Sequence, residues 1–119
     1  MGVSGSTFEY VNICISKYKA MKPIDDSIKE ITEIIKALGH PARLEILLLL
    51  NRKKGKLSVT YIYESLGLTQ PETSRHLTVM KNGSVLNCDK EGSNAYYSIN
   101  DEFPLIRCIA ACISKQKIK

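Results

Sequence analysis

Two histidines, His40 and His76, and four cysteines, Cys14, Cys88, Cys108 and Cys112, are all the imidazoles and thiols in this 119-residue chain. Two imidazoles leave few ligands for a catalytic zinc, and no serine–histidine–carboxylate arrangement assembles around them. The cysteines include no CxxC pair and stand in no secretory context, so they read as thiols rather than as a disulfide framework. What is concentrated is hydrogen-bonding capacity: Thr69, Gln70, Glu72, Ser74, Arg75 and His76 share one short segment. A glutamine amide bonds an adenine edge twice, an arginine fork grips a guanine edge or a phosphate, and serine and histidine add shorter-range donors. Such a set suits recognition of a nucleic acid; it does not assemble a nucleophile with its base.

Charge agrees. The net charge of +5 favours a polyanionic partner, and both nucleic acid and an acidic membrane would fit it. The basic residues are spread along the chain apart from one cluster, Arg52 to Lys56, so a folded basic face is expected rather than a basic tail. The longest purely aliphatic run, Ile46 to Leu50, falls far short of the roughly 20 apolar residues that span a bilayer. With no signal-sequence pattern either, the expectation is a cytoplasmic protein with no membrane association. A hydrophobic content of 44% at this length fits one compact domain.

The elements that must position the polar segment follow from periodicity. Phe8, Val11, Ile15 and Tyr18 recur at helical spacing, which predicts a helix from Ser6 to about Ala20, broken by Pro23. Asp25, Asp26 and Ser27 supply caps for a second helix with Ile28, Ile31, Ile35 and Leu38 on its apolar side, ended by Gly39. Pro41 suits a first helical turn, and Leu44, Leu47 and Leu48 continue as a buried stripe toward Leu50. Ser58 can cap a helix from Val59 to Leu66, with Val59, Ile62 and Leu66 inward and Gly67 as its left-handed stop. Thr69 and Glu72 then form a capping box. The helix they start, ending at Asn82, turns Thr73, Leu77 and Met80 inward and leaves Gln70, Ser74, Arg75 and Thr78 to solvent. From Val85 alternation predicts a hairpin, with Val85, Leu86 and Cys88 before a turn at Glu91 to Asn94 and Ala95, Tyr96, Tyr97 and Ile99 after it. A last helix begins around Asn100 to Pro104 and is apolar on a wide face. This order predicts a mainly α fold with a small β-hairpin, a winged helix-turn-helix whose second helix reads duplex DNA. Lys81 at the end of that helix and Lys90 in the wing complete the candidate DNA-binding set.

Lys36 to Leu47 (KALGHPARLEIL) and Leu68 to Leu77 (LTQPETSRHL), followed by Glu91-Gly92 and Tyr96-Tyr97, resemble in order three motifs of the ArsR/SmtB (arsenic-repressor) family. The resemblance runs from about Ile34 to Ile99. It implies a homodimer joined by its first core helix and C-terminal helix, binding a double-stranded operator as a repressor and leaving it when an inducer is sensed. The division expected is residues 1–22 as an N-terminal extension helix, 23–100 as the DNA-binding domain and 101–119 as the dimerisation helix. Family DNA contacts map onto Gln70, Ser74, Arg75 and His76.

The sequence departs from the family at several places. Pro71 and Glu72 replace small hydroxyl residues, and Glu72 either completes the capping box, the reading favoured here, or accepts from a cytosine amino group. Asp89, Lys90 and Glu91 leave the wing with little positive charge. The family's Cys-x-Cys metal site falls on Ser58 and Thr60, and its C-terminal zinc site keeps Asp101 but meets Phe103, Ser114 and Lys117, so both inherited sites are lost. Cys108 and Cys112, one helical turn apart, with Cys14, are the remaining candidates for a thiophilic metal or metalloid ion or a redox signal. Burial as small hydrophobes is the commoner fate of free cysteines and the favoured reading. An interaction module whose polar helix faces a protein is the alternative to a DNA reader.

Overall fold

The computed structural model describes residues 24–116, and the expected N-terminal helix and Cys14 lie outside them. Helix α1 spans Ile24–Leu38, so Asp25, Asp26 and Ser27 fall in its first turn rather than before it. The helix is also rotated from the face its isoleucines suggest. Ile34, Ala37 and Leu38 are buried and Ile31 half-buried, while Ile28 and Ile35 are 58% and 56% exposed. The cause lies at the end of another helix. A Cβ added at Gly83 would stand 2.6 Å from the Ala37 Cβ. The two smallest residues available meet there, and that close approach selects the Ala37 side of α1 as the inner one.

Helix α2 (Pro41–Lys53) starts on His40, whose extended backbone (φ −157°, ψ 135°) and Nδ1, accepting from the Ala42 amide at 3.0 Å, form the N-cap. Leu47 is buried as expected, but the other wholly inward residues are Ile46, Leu49 and Leu50, with Leu44 and Leu48 half-buried. From Ile46 to Leu50 the helix is apolar all round because neighbours pack on several of its sides. α1 and α5 (Pro104–Gln116) both contact it, and Ile106 and Ala110 of α5 share its core. Arg107 fastens α5 further, donating to Asn51 Oδ1 of α2 at 3.1 Å and to both oxygens of Asp101 at 2.7 and 3.2 Å.

After the basic loop a two-residue strand, β1 (Leu57–Ser58), precedes α3 (Val59–Leu66). Alternation cannot reveal so short a strand, and the sequence pattern predicts the hairpin alone. Ser58 caps α3 by accepting from the Tyr61 amide at 3.1 Å, and Gly67 closes it at φ 70°, a left-handed geometry open to glycine at no steric cost. Then come α4 (Gln70–Asn82), β2 (Leu86–Glu91) and β3 (Asn94–Ile99). The antiparallel sheet runs β1-β3-β2, with Leu57 opposite Tyr97 and Cys88 opposite Tyr97 on its other side. Glu91 and Asn94 belong to the strands, which narrows the turn to Gly92 and Ser93.

Gly83→Ala should lower the unfolding free energy by about 1–3 kcal/mol, the usual range for forcing extra volume into a packed contact. Denaturant melts of the two proteins will show this as a lower midpoint with an unchanged slope.

Candidate nucleic-acid interface

Helix α4 is anchored along one side and open along the other. Thr73, Leu77 and Met80 are wholly buried against the core. Opposite them, Gln70, Ser74, Arg75 and Thr78 are exposed, and among the described residues no hydrogen bond or ion pair engages the side chains of Gln70, Ser74 or Arg75. Their donors and acceptors are therefore available to a ligand. Thr69, also exposed, is the N-cap: its Oγ1 accepts from the Glu72 amide at 3.2 Å while Glu72 Oε1 accepts from the Thr69 amide at 3.4 Å. The positive end of the α4 dipole thus opens beside Gln70 and the exposed row.

The structure divides the sequence candidates. Glu72 is half-buried and occupied by the capping box. His76 is half-buried as well and faces the scaffold, its Nδ1 accepting from Arg43 Nε at 3.3 Å and its ring centroid 4.5 Å from that of His40. Burial foremost, then the neighbouring His40 and Arg43, hold the His76 imidazole below its ordinary range, with Glu72 opposing them. Lys81 and Lys90 are exposed, one in the last turn of α4 and the other on β2.

The wing carries a feature that sequence reasoning missed. Lys56, in the basic loop, pairs with Glu91 and, at 3.7 Å, with Asp89, and lies 5.5 Å over the Tyr96 ring. Its hydrogen bond to Glu91, more than any other influence, raises the ammonium above its ordinary range. Two lysines, Lys56 and Lys90, therefore balance the two carboxylates of the wing. No spacing rule connects residue 56 to residue 91, because it takes both the β1–β3 and the β2–β3 pairings to bring them together. Tyr96 and Tyr97 are both half-buried, and burial together with Cys88 pushes the Tyr97 phenol up to about 12.

Of the thiols, Cys108 is buried and Cys112 half-buried on α5, and Cys88 is half-buried on β2. Of the positions onto which the family's metal sites map, Ser58 serves as the α3 cap and Asp101 as the partner of Arg107. Among the described residues no three histidine, cysteine or carboxylate side chains lie close enough to hold a metal ion.

Two short helices joined through Gly67 to Thr69, the second polar on its outer side and followed by a small antiparallel sheet, define a winged helix-turn-helix domain. The sequence profile of the arsR family of bacterial regulatory proteins matches residues 40–83. The transcriptional repressor PagR of Bacillus anthracis is 40% identical over 75 residues, 63% of this chain and 74% of PagR. Its crystal structure superposes with a TM-score of 0.65 at 36% identity, covering 73% of this chain and 95% of that one. An arsenical resistance operon repressor of Staphylococcus xylosus is 35% identical over 65% of this chain and 72% of its own length. The homodimeric DNA-binding domain of a possible ArsR-family regulator from Mycobacterium bovis, solved by NMR, gives a TM-score of 0.64 at 26% identity, covering 80% of this chain and 86% of that one. The chain belongs to the arsR family. That family and these relatives are transcriptional regulators, not enzymes.

Because Glu72 spends its carboxylate on the cap, Glu72→Ala should cost about 0.5–1 kcal/mol of stability. The same variant should leave the preference for C·G pairs unaltered in a binding-site selection, whereas a shift there would assign Glu72 to the bases.

Proposed function

We propose that the chain is a homodimeric repressor that reads a duplex operator with the N-terminal half of α4. The observation that carries this reading is the uncommitted outer row of Gln70, Ser74 and Arg75 on a helix whose inner side is wholly buried. A rigid helix with a free polar row and an open N-terminus suits a major groove, where Gln70 would address adenine and Arg75 guanine or a phosphate. Thr69, Lys81 and Lys90 would add backbone contacts, which position the protein without specifying sequence. Balanced by its own carboxylates, the wing would contribute modestly.

The dimer is supported by apolar surface left uncovered in the single chain. Ile28 and Ile35 of α1 are exposed, and Leu105, Ile109 and Ile113 of α5 are only half-buried. Covering them with a second copy would remove that surface from water and set two α4 helices about one duplex turn, roughly 34 Å, apart. The expected place of action is the cytoplasm, and among the described residues no helix is long and apolar enough to cross a membrane.

Release by an inducer would act through the same dimer. Cys108 and Cys112 offer the chemistry for a thiophilic ion or an oxidant, one helical turn apart on α5. Converting both to serine should abolish any response to arsenite, cadmium or peroxide while DNA binding persists. A response that survives would move the sensor off α5.

Titration of fluorescent duplexes should show affinity falling steeply with salt as phosphate counterions are released. Arg75→Ala should weaken operator binding by about 1–3 kcal/mol at unchanged thermal stability. A protein that ignores duplex DNA even at low salt is not a repressor of this kind, and its polar helix would then face a protein.

A further inference from the structure

Arg43 is placed to hold three elements at once. Its backbone lies in the first turn of α2, its Nη1 donates at 3.1 Å to the Ala37 carbonyl in the last turn of α1, and its Nε donates at 3.3 Å to His76 Nδ1 on α4. His40, the α2 cap, sits 4.5 Å from His76 ring to ring and spends its own Nδ1 on the Ala42 amide. A nitrogen that accepts from a guanidinium must be bare, so His76 is the neutral Nε2–H tautomer. His76 comes directly after Arg75 and within two residues of Ser74, and whatever fixes its ring also fixes the rotation of α4 that presents them.

We propose that His76 is a positioning residue, joined through Arg43 and His40 to α1 and α2, and that its neutral form holds α4 in the orientation that reads DNA. The proposal rests on the operator-binding reading above. It assigns His76 a role opposite to a groove contact: the ring works from behind the helix and does not touch the duplex.

Protonation breaks this joint. It removes the acceptor that Arg43 uses and adds a third charge beside Arg43 and Arg75, with His40 also facing the ring and Glu72 the carboxylate that opposes them. Burial and these neighbours depress the His76 titration, so below the ordinary value of 6.5 the folded protein takes up fewer protons than the unfolded chain. The contribution of the joint is thus complete above 6.5 and is lost as the pH falls toward the depressed value. DNA affinity should fall once the pH passes below that depressed value, where the folded protein itself takes up the proton, by at most about tenfold per pH unit for each subunit engaged, the slope of one proton released on binding. A histidine that touched phosphate would do the reverse and tighten binding on acidification.

The test pairs two measurements on the full chain. Nitrogen-resolved histidine NMR of the free protein should show His76 with a bare Nδ1 at pH 7.5 and a titration midpoint below 6.5, whereas an Nδ1–H tautomer or a midpoint at or above 6.5 overturns the proposal. Duplex affinity, measured at fixed salt from pH 7.5 to at least one unit below that midpoint, should fall for the wild type and for His40→Asn, which keeps a capping oxygen. It should be flat for His76→Asn, which keeps an acceptor that does not titrate, and for Arg43→Met, which removes the donor. Wild-type affinity that rises on acidification, or a His76→Asn profile that still falls like the wild type, overturns the proposal. Absence of duplex binding by the wild type would instead overturn the operator reading, and the NMR titration would still decide the state of the joint.

Discussion

The inner face of α4 is the contact on which the outer surface depends. Leu77 and Met80 are wholly inaccessible, and side chains of this kind contribute about 1.5–3 kcal/mol each when taken from water. That burial fixes the axial rotation of the helix, and rotation decides which residues are left outside. Gln70, Ser74 and Arg75 are exposed because Thr73, Leu77 and Met80 are not. The turn at Gly67 and the capping box at Thr69 then set where the helix begins, so its amide end opens beside the same row.

Polar links refine the position that burial sets. Arg43 reaches from α2 to α1 and α4, Arg107 from α5 to α2, and Lys56 from the basic loop to the wing. The Lys56 pairs are exposed and contribute little to stability, but they join the basic loop to the hairpin. Direction, more than strength, is what these contacts supply.

Much of this was legible in the sequence, and the reasons differ by element. α4 was readable because cap, period and stop agree within one segment: Thr69 with Glu72, then Thr73, Leu77 and Met80, then Gly83. α1 was misread because Ile28, Ile31, Ile34 and Ile35 offer two apolar faces at helical spacing, and the choice between them is made by Gly83, just past the end of a different helix. β1 was too short to show a pattern. The polar segment could be recognised as a group, but not the inward turn of His76, because its partner Arg43 lies on another helix. Local signals name the elements; residues that choose between faces act across the chain.

The contact between Ala37 and Gly83 bears on how the sequence is free to drift. Both positions already hold nearly the smallest side chains there are, so neither can enlarge unless the helices separate, and separation would turn α4 against its own core. Substitutions at residues 37 and 83 should therefore be accepted only as compensated pairs, although neither residue belongs to the exposed row of α4. A mutational history written at the outer surface of α4 is in this way bounded by two small residues behind it.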